Sequence, residues 1–476
     1  MAVSRPYVAD VLRIAGPVAL ARLGIIGMAL VDVIVVGQLA ASELPHQALG
    51  WAPTAVFLVA AIGLLQGVQV LAARSLGEGN PDGAGVALRR GLVLAGAAGL
   101  LSAAMMWLGG ERIFTMFGIE AELAAPSAPV MRVLSLSIPL HLIFIAGTFF
   151  LEAVKKPGIG TAVMWGANIV NLALNLLWVP DLSVGANVAW AEPLYAAIRD
   201  WPLLNALNAL APEHGAIGSA WATVGARVFL AGVILACIWF SRDSARYRVR
   251  SLSSNGPSYR ALLGVGIAAA VSQAAEAGAF SAMTVIAGRI GANEVSGYQI
   301  LLNLMAFVFM IALGVSAAAA VLVSEATGRK APEEATRAGW TALGINTVGM
   351  AIAAALILMF ARQIGGLYTA DVNLVAMLAG LMWICALVLI PDGGQVVAAA
   401  ALRARGDNWF PTFSHILSYL IVMPALGFWL AEGLEMKVAG LLWSIFWSSV
   451  LSVTILLARW WWLSSRPPRA VSGVDA

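Results

Sequence analysis

Charge is what this chain has least of. Only 11% of its 476 residues are Asp, Glu, Lys or Arg, while 61% are hydrophobic. Soluble domains carry about 25% charged and about 45–50% apolar residues. A soluble chain of this length would fold as roughly two or three domains, each with its own polar exterior. Twenty-eight basic and 25 acidic side chains cannot clothe that much surface. An ordinary soluble enzyme is excluded, and a polytopic membrane protein remains.

Other scarcities narrow the choice. Two cysteines, Cys237 and Cys385, each sit inside an apolar run, which argues against a disulfide framework or thiolate metal site. The four histidines stand singly, without zinc spacing. A net charge of +3 with no basic stripe among aromatics gives nucleic acid nothing to bind. There is no serine in a strained turn, no phosphate-cradling loop and no ATPase module, so neither an enzyme nor a bound cofactor is expected. At the N-terminus, Arg5, Asp10 and Arg13 lead into an apolar run too long for a cleavable leader.

What the chain has is long apolar segments. A bilayer crossing takes about 20 such residues. The predicted crossings are 13–37, 49–73, 88–108, 128–151, 158–180, 215–240, 261–287, 298–323, 338–361, 373–398, 410–430 and 438–462. Lys and Arg gather on the cytoplasmic side of such helices. With the N-terminus inside, 20 of the 28 basic residues fall on inner segments, among them Arg74, Lys155, Arg248, Arg329 and Arg405. Both termini are therefore expected in the cytoplasm of a bacterial-type inner membrane. Trp178 and Trp460–Trp462 suit the interfacial belt.

A shift of 251 positions exposes an internal repeat. Gly37 falls on Gly288, Glu43 on Glu294, Gly63 on Gly314, Gly77 on Gly328 and Pro81 on Pro332. At a shift of 252, Ile138–Pro139 falls on Ile390–Pro391. Each half carries six crossings and begins on the same side, so the repeat is parallel, with its axis along the membrane normal. The fold expected is an all-α integral membrane protein with twelve transmembrane helices in two pseudo-symmetric six-helix bundles. Residues 1–240 form one lobe, 241–260 a basic cytoplasmic linker, and 261–476 the second lobe with a short tail. Residues 181–214 break the symmetry. Within them Leu194, Tyr195, Ile198, Trp201 and Leu204 fall near helical spacing, as in a short helix lying on the membrane surface.

Six charged residues fall well inside the crossings: Arg22, Asp32, Arg132, Arg227, Glu276 and Asp392. Each costs about 2.5–3.5 kcal/mol at a helix centre on insertion scales, so such residues line cavities or pair. Glu276 shares a helix face with Ser272, Gln273, Phe280 and Thr284. Asp392 follows Pro391, and Gln395 stands one turn on. Asn168, Asn171 and Asn175 share a face of the fifth crossing, where amides either bind a ligand or join helices. Arg132 and Arg227 read as snorkelling or structurally paired. Under the repeat Asp32 matches Met283, Glu276 matches Ile25 and Asp392 matches Leu140. The scaffold is duplicated and the acids are not.

These residues resemble the multidrug and toxic compound extrusion (MATE) family. The likeness rests on Val31–Asp32–Val33 to Gly37, Gly77 with Pro81, Asn171 with Asn175, Gly215 to Thr223, Glu276 with Phe280, and Pro391–Asp392 to Asp407. It covers nearly the whole chain, and the acids of the seventh and tenth crossings place it in the NorM-like branch. The resemblance implies an antiporter exporting organic cations and other amphipathic drugs against inward Na+ or H+, by alternating access and as a monomer. It implies coupling roles for Glu276, Asp392 and Asp32, with Na+ at Glu276 and Asp392 as the one metal site. Site-lining roles fall to Asn171, Asn175, Gln273, Phe280 and Gln395, and to Arg22, which departs from the family pattern. Asn175 stands where some members carry an aspartate. A lipid or oligosaccharide flippase of the same superfamily is the alternative. It should favour basic cavity residues and often has about fourteen helices, whereas a major facilitator would show a different loop after the second crossing.

Overall fold

The computed structural model describes residues 5–116, 119–182, 189–211, 213–251, 255–369 and 371–465. Among them are twelve helices long and apolar enough to cross a membrane. They are α1 (Arg5–Leu39), α2 (Leu44–Gly77), α3 (Pro81–Gly109), α4 (Ala121–Ala153), α5 (Pro157–Trp178), α6 (Gly215–Trp239), α7 (Tyr259–Ile290), α8 (Ala292–Gly328), α9 (Pro332–Met359), α10 (Val372–Ala404), α11 (Trp409–Gly433) and α12 (Lys437–Ser464). No strand occurs among the described residues. The chain is an all-α membrane protein.

Most of the helices outrun the apolar segments that predicted them. Hydropathy falls at the first charge, but backbone hydrogen bonding continues to the next glycine or proline. Thus α2 passes Arg74 and stops at Gly77. Gly79 then turns at a φ of 74°, and Asn80 caps α3 by accepting from the Gly83 amide at 3.0 Å. Likewise α4 runs through Glu152 and α10 through Arg403. These extensions bring three charged side chains into the bundle that the sequence placed in loops.

The repeat in the sequence is a symmetry of contacts. Gly63 and Gly314 each face backbone of the other lobe: a Cβ on Gly63 would stand 2.7 Å from the Ala270 Cα, and one on Gly314 3.0 Å from the Ala19 nitrogen. Gly77 packs on the backbone of Glu325, and Gly328 on that of Arg74. Under the 251 shift Gly63 is Gly314, Ala19 is Ala270, Gly77 is Gly328 and Arg74 is Glu325. A pair of contacts has been written twice. Only residues without a side chain let helices approach so closely. The glutamates of the repeat also correspond. Glu43 accepts from the Ala216 amide at the start of α6, and Glu294 takes Lys437 at the start of α12, 2.9 Å away.

These inter-lobe contacts gather toward the end of the bundle that carries the linker. There Lys155 pairs with Glu325 at 2.6 Å, and Arg74 donates to the Ala404 carbonyl at 2.9 Å. The linker itself is tied to α3. Arg248 meets Asp82 at 2.9 Å, Arg89 donates to the Arg248 carbonyl at 2.6 Å, and Arg90 to that of Pro257 at 2.5 Å. Nearby, the hydrogen bond from Lys156 holds the Asp243 carboxyl below its ordinary range.

The 181–214 segment differs from its sequence pattern. The expected single helix is two, Glu192–Asp200 and Pro202–Asn208, because Pro202 cannot continue the hydrogen bonding of the first. Tyr195 is buried against Val35, Val36 and Leu39 of α1. Trp201, expected on the same face, is exposed at the break. Trp178 and Asn208 secure the second helix to the end of α5, through the Leu207 and Leu177 carbonyls at 2.9 Å and 2.6 Å. Pro212 lies outside the described residues.

Filling the glycine seam should loosen the sealed end. Overpacking a close helix contact costs about 1–3 kcal/mol, so Gly77→Val and Gly328→Val should each raise the population with the lobes parted there. A cysteine at Ala320, on the cavity wall, in a background without Cys237 and Cys385, reports this. Its labelling by an impermeant thiol reagent from the linker side should quicken in both variants; unchanged rates would show that the seam is not the seal.

Candidate functional site

Between the lobes lies a cavity of about 530 Å³. Its wall toward the C-terminal lobe carries Gln273, Glu276 and Phe280 of α7, Asp392 of α10 and His415 of α11. The opposite wall carries Arg22, Ile25 and Ile26 of α1, Gln66 and Gln69 of α2, and Phe149 of α4. Most of the remaining surface is apolar, from α8 residues such as Met305, Phe309 and Leu313. Apolar walls with a few convergent polar groups are the usual make-up of a small-molecule site.

The two acids of this wall are held differently. Asp392 Oδ1 accepts from the Tyr419 hydroxyl at 2.9 Å and from Ser449 Oγ at 3.1 Å. Those two hydroxyls lie 3.0 Å apart. Tyr419 reaches Asp392 from a π-helical stretch of α11, Ile416–Val422; such widened turns recur at functional sites. Its ring also packs edge-on to His415, centroids 5.7 Å apart, and His415 Nδ1 lies 2.5 Å from Ser272 Oγ. Glu276, half-buried on the wall, accepts no hydrogen bond from a described side chain. Its carboxylate faces the cavity within electrostatic reach of Asp392 and Arg403. One acid is anchored and the other is free to meet a ligand.

Asp32, Asn171 and Asn175 form a separate closed site in the N-terminal lobe. Asp32 is fully buried. Its Oδ1 accepts from Asn171 Nδ2 at 2.9 Å and Asn175 Nδ2 at 2.7 Å, and its Oδ2 from Thr223 Oγ1 at 2.7 Å. All three partners donate, so the pocket is built for the ionised carboxylate. None of these residues lines the cavity. Asn168 has the other role open to these amides: it ties α5 to α1 through the Gly24 carbonyl at 3.0 Å. Gln395 lies fully buried behind Asp392 rather than on the wall. Arg227 is buried too, donating to Ser137 and stacked 5.3 Å over Trp51, a structural pair and not a snorkelling side chain.

Sequence reading missed several members of these sites. Tyr419 and Ser449 give no signal, because hydroxyls are common in membrane helices, and Thr223 stood in the Gly215-to-Thr223 stretch with no role attached to it. Glu152 and Arg403 had a signal: they lie at the inner ends of crossings, where charge is normally discounted as loop; Gln69, neutral and within its crossing, had none. Glu152 is buried, accepting from Gln69 Nε2 at 2.5 Å with Arg22 at 3.9 Å. Among the described residues no group of His, Cys, Asp or Glu has the make-up of a metal centre.

The MatE family model matches residues 17–177 and 268–429, once in each half and starting 251 residues apart. The chain is 38% identical over 97% of its length, and 93% of the other's, to a Caulobacter vibrioides protein named "Probable multidrug resistance protein NorM". It is 26% identical over 87% of its length, and 82% of the other's, to "Multidrug resistance protein PmpM" of Pseudomonas aeruginosa. In fold it is similar to an outward-facing multidrug resistance MATE family transporter, with a TM-score of 0.82 at 18% identity over 97% of each chain.

The Asp32 pocket predicts a cost for losing a donor. A hydrogen bond to a buried charge is worth about 1.5–3 kcal/mol. Thr223→Val keeps the volume and removes one such bond. Its midpoint of thermal unfolding in detergent should fall, and the further change Asp32→Asn should recover part of the loss. A Thr223→Val protein as stable as the parent would show that the pocket does not depend on this donor.

Proposed function

The chain belongs to the MatE family, and on that premise we propose that it is a multidrug efflux transporter of a bacterial-type inner membrane. It exports organic cations and other amphipathic compounds in exchange for inward Na+ or H+. One observation carries this reading: a mostly apolar inter-lobe cavity onto which two carboxylates, Glu276 and Asp392, face from one wall. Apolar walls hold an aromatic or aliphatic body without demanding a shape, and the acids hold its charge.

The concentration of Lys and Arg assigns the linker end to the cytoplasm, with both termini there. On that reading the glycine seam closes the cytoplasmic side and the lobes stand outward-facing. In this state Na+ or a proton arriving from outside neutralises Glu276 and Asp392. That lowers their hold on a cationic drug, which leaves outward. Once the lobes rock inward the acids lose the coupling ion and recapture substrate. The cycle is a population shift, driven by which ligand each state binds better. Asp32 supplies a second coupling point. A proton on its carboxylate competes with the donors from α5 and α6, and so loosens α1 against both.

The flippase alternative gains no support from the site. Arg22 pairs with Glu152, and Arg403, the other arginine of the lining, lies within electrostatic reach of Glu276, so each basic group of the cavity has an acid near it rather than belonging to a basic surface for an anionic glycolipid.

Reconstituted in liposomes as a monomer, the protein should expel a cationic dye when an inward Na+ or H+ gradient is imposed; imposing each alone identifies the ion. Glu276→Gln and Asp392→Asn should each abolish gradient-driven efflux while eluting as folded protein. Full transport in both variants would overturn the assignment.

A further inference from the structure

Arg22 and Glu152 are a charge pair that the coupling scheme does not use, placed at the wall of the substrate cavity. Arg22 faces the cavity with its side chain 14% exposed, and Glu152 lies behind it at 5%. The guanidinium stands 5.4 Å from the centre of the Phe149 ring and 3.9 Å from the carboxylate. That separation is an ion pair without a direct hydrogen bond, since charge-assisted bonds close to about 2.7–2.9 Å. The firm partner of Glu152 is Gln69, at 2.5 Å. Among the described residues Arg22 alone pairs with the carboxylate as a cation, and a bare carboxylate so deeply buried would be too costly to keep.

The repeat sharpens the point. Under the 251 shift Arg22 corresponds to Gln273, and Ile25 to Glu276, and all four line the cavity. Where one lobe places a neutral amide and an acid, the other places a cation and an isoleucine. The cavity is therefore unequal by sign: toward α7 and α10 two acids outnumber the one arginine, Arg403, and at α1 the cation Arg22 faces them.

We propose that Arg22 is a built-in cation that occupies the N-terminal half of the cavity, masks Glu152, and restricts the site to substrates carrying a single positive charge. This deepens the efflux reading and rests on it. A monocation binds with its charge toward Glu276 and Asp392 and its apolar body against Ile25 and Ile26. A dication long enough to span the cavity meets Arg22 with its second charge. Remove the guanidinium, and that second charge finds Glu152 instead.

Ethidium and propidium test this, because they share one ring system and carry one and two positive charges. Equilibrium binding to the purified protein in nanodiscs needs no ion gradient. In Arg22→Gln the ratio of propidium to ethidium affinity should rise about tenfold, the scale of one charge interaction across a partly solvated cavity. Arg22→Lys should keep the parental ratio. Glu152→Gln, which leaves the guanidinium unopposed, should weaken both dyes. The double variant Arg22→Gln/Glu152→Gln should return the ratio close to the parent's.

An unchanged ratio in Arg22→Gln overturns the proposal, as does a double variant that keeps the single variant's shift. If Arg22→Gln yields no folded protein, Glu152→Gln decides, and undiminished ethidium affinity there counts against masking. Failure of the efflux reading looks different: ethidium would then bind equally well to the parent and to Glu276→Gln.

Discussion

A carboxylate inside a bilayer must have a partner, and this requirement arranges the protein. Asp32 has three donors, supplied by α5 and α6. Asp392 has two hydroxyls, from α11 and α12. Glu152 has an amide and a guanidinium. Each acid thereby fastens its helix to others in the same lobe, and each lobe is knit into one bundle. Glu276 alone of the four accepts no hydrogen bond from a described side chain and faces the cavity, with Arg403 within electrostatic reach. Its hydrogen-bonding capacity is left to a ligand, which is how a structural requirement becomes a binding site.

The two lobes show what duplication keeps and what it releases. The contacts between them are symmetric because the seam has to close from both sides: Gly63 with Gly314, Gly77 with Gly328. The glutamates that meet the start of α6 and of α12 are symmetric for the same reason, each fixing its sixth helix within its lobe. The charges facing the cavity follow no such rule. A symmetric pair of acids would hold a substrate midway between the lobes, equally attached to each. Two acids with one arginine on one wall, and Arg22 on the other, give the cavity a direction.

Much of this was legible beforehand. All twelve crossings appeared in hydropathy, because water cannot satisfy backbone groups in the bilayer and the helix is the local answer. The repeat appeared because glycine at a close contact cannot be replaced, so the same spacing survives in both halves. Glu276, Asp392 and Asp32 stood out because charge at mid-helix is expensive. Less visible was anything at a helix end. Glu152 stands one residue past its predicted crossing, and Arg403 five past its own, so each read as loop. The surface segment failed at Trp201, where periodicity continued and Pro202 ended the helix.

The sequence by itself determined the solvent, the helix count, the duplicated plan and the short list of acids. These are local or compositional properties, written in residue type and spacing along one chain. Tertiary structure alone decided which acids share a chamber. Asp32 is closed away among asparagines that looked like cavity lining, while Asp392 and Glu276, 116 residues apart, meet on one wall. It also decided that Arg22 lies against Glu152. Helical periodicity tells which face a side chain occupies but not which helix that face will meet, and partnership between buried charges is settled by packing.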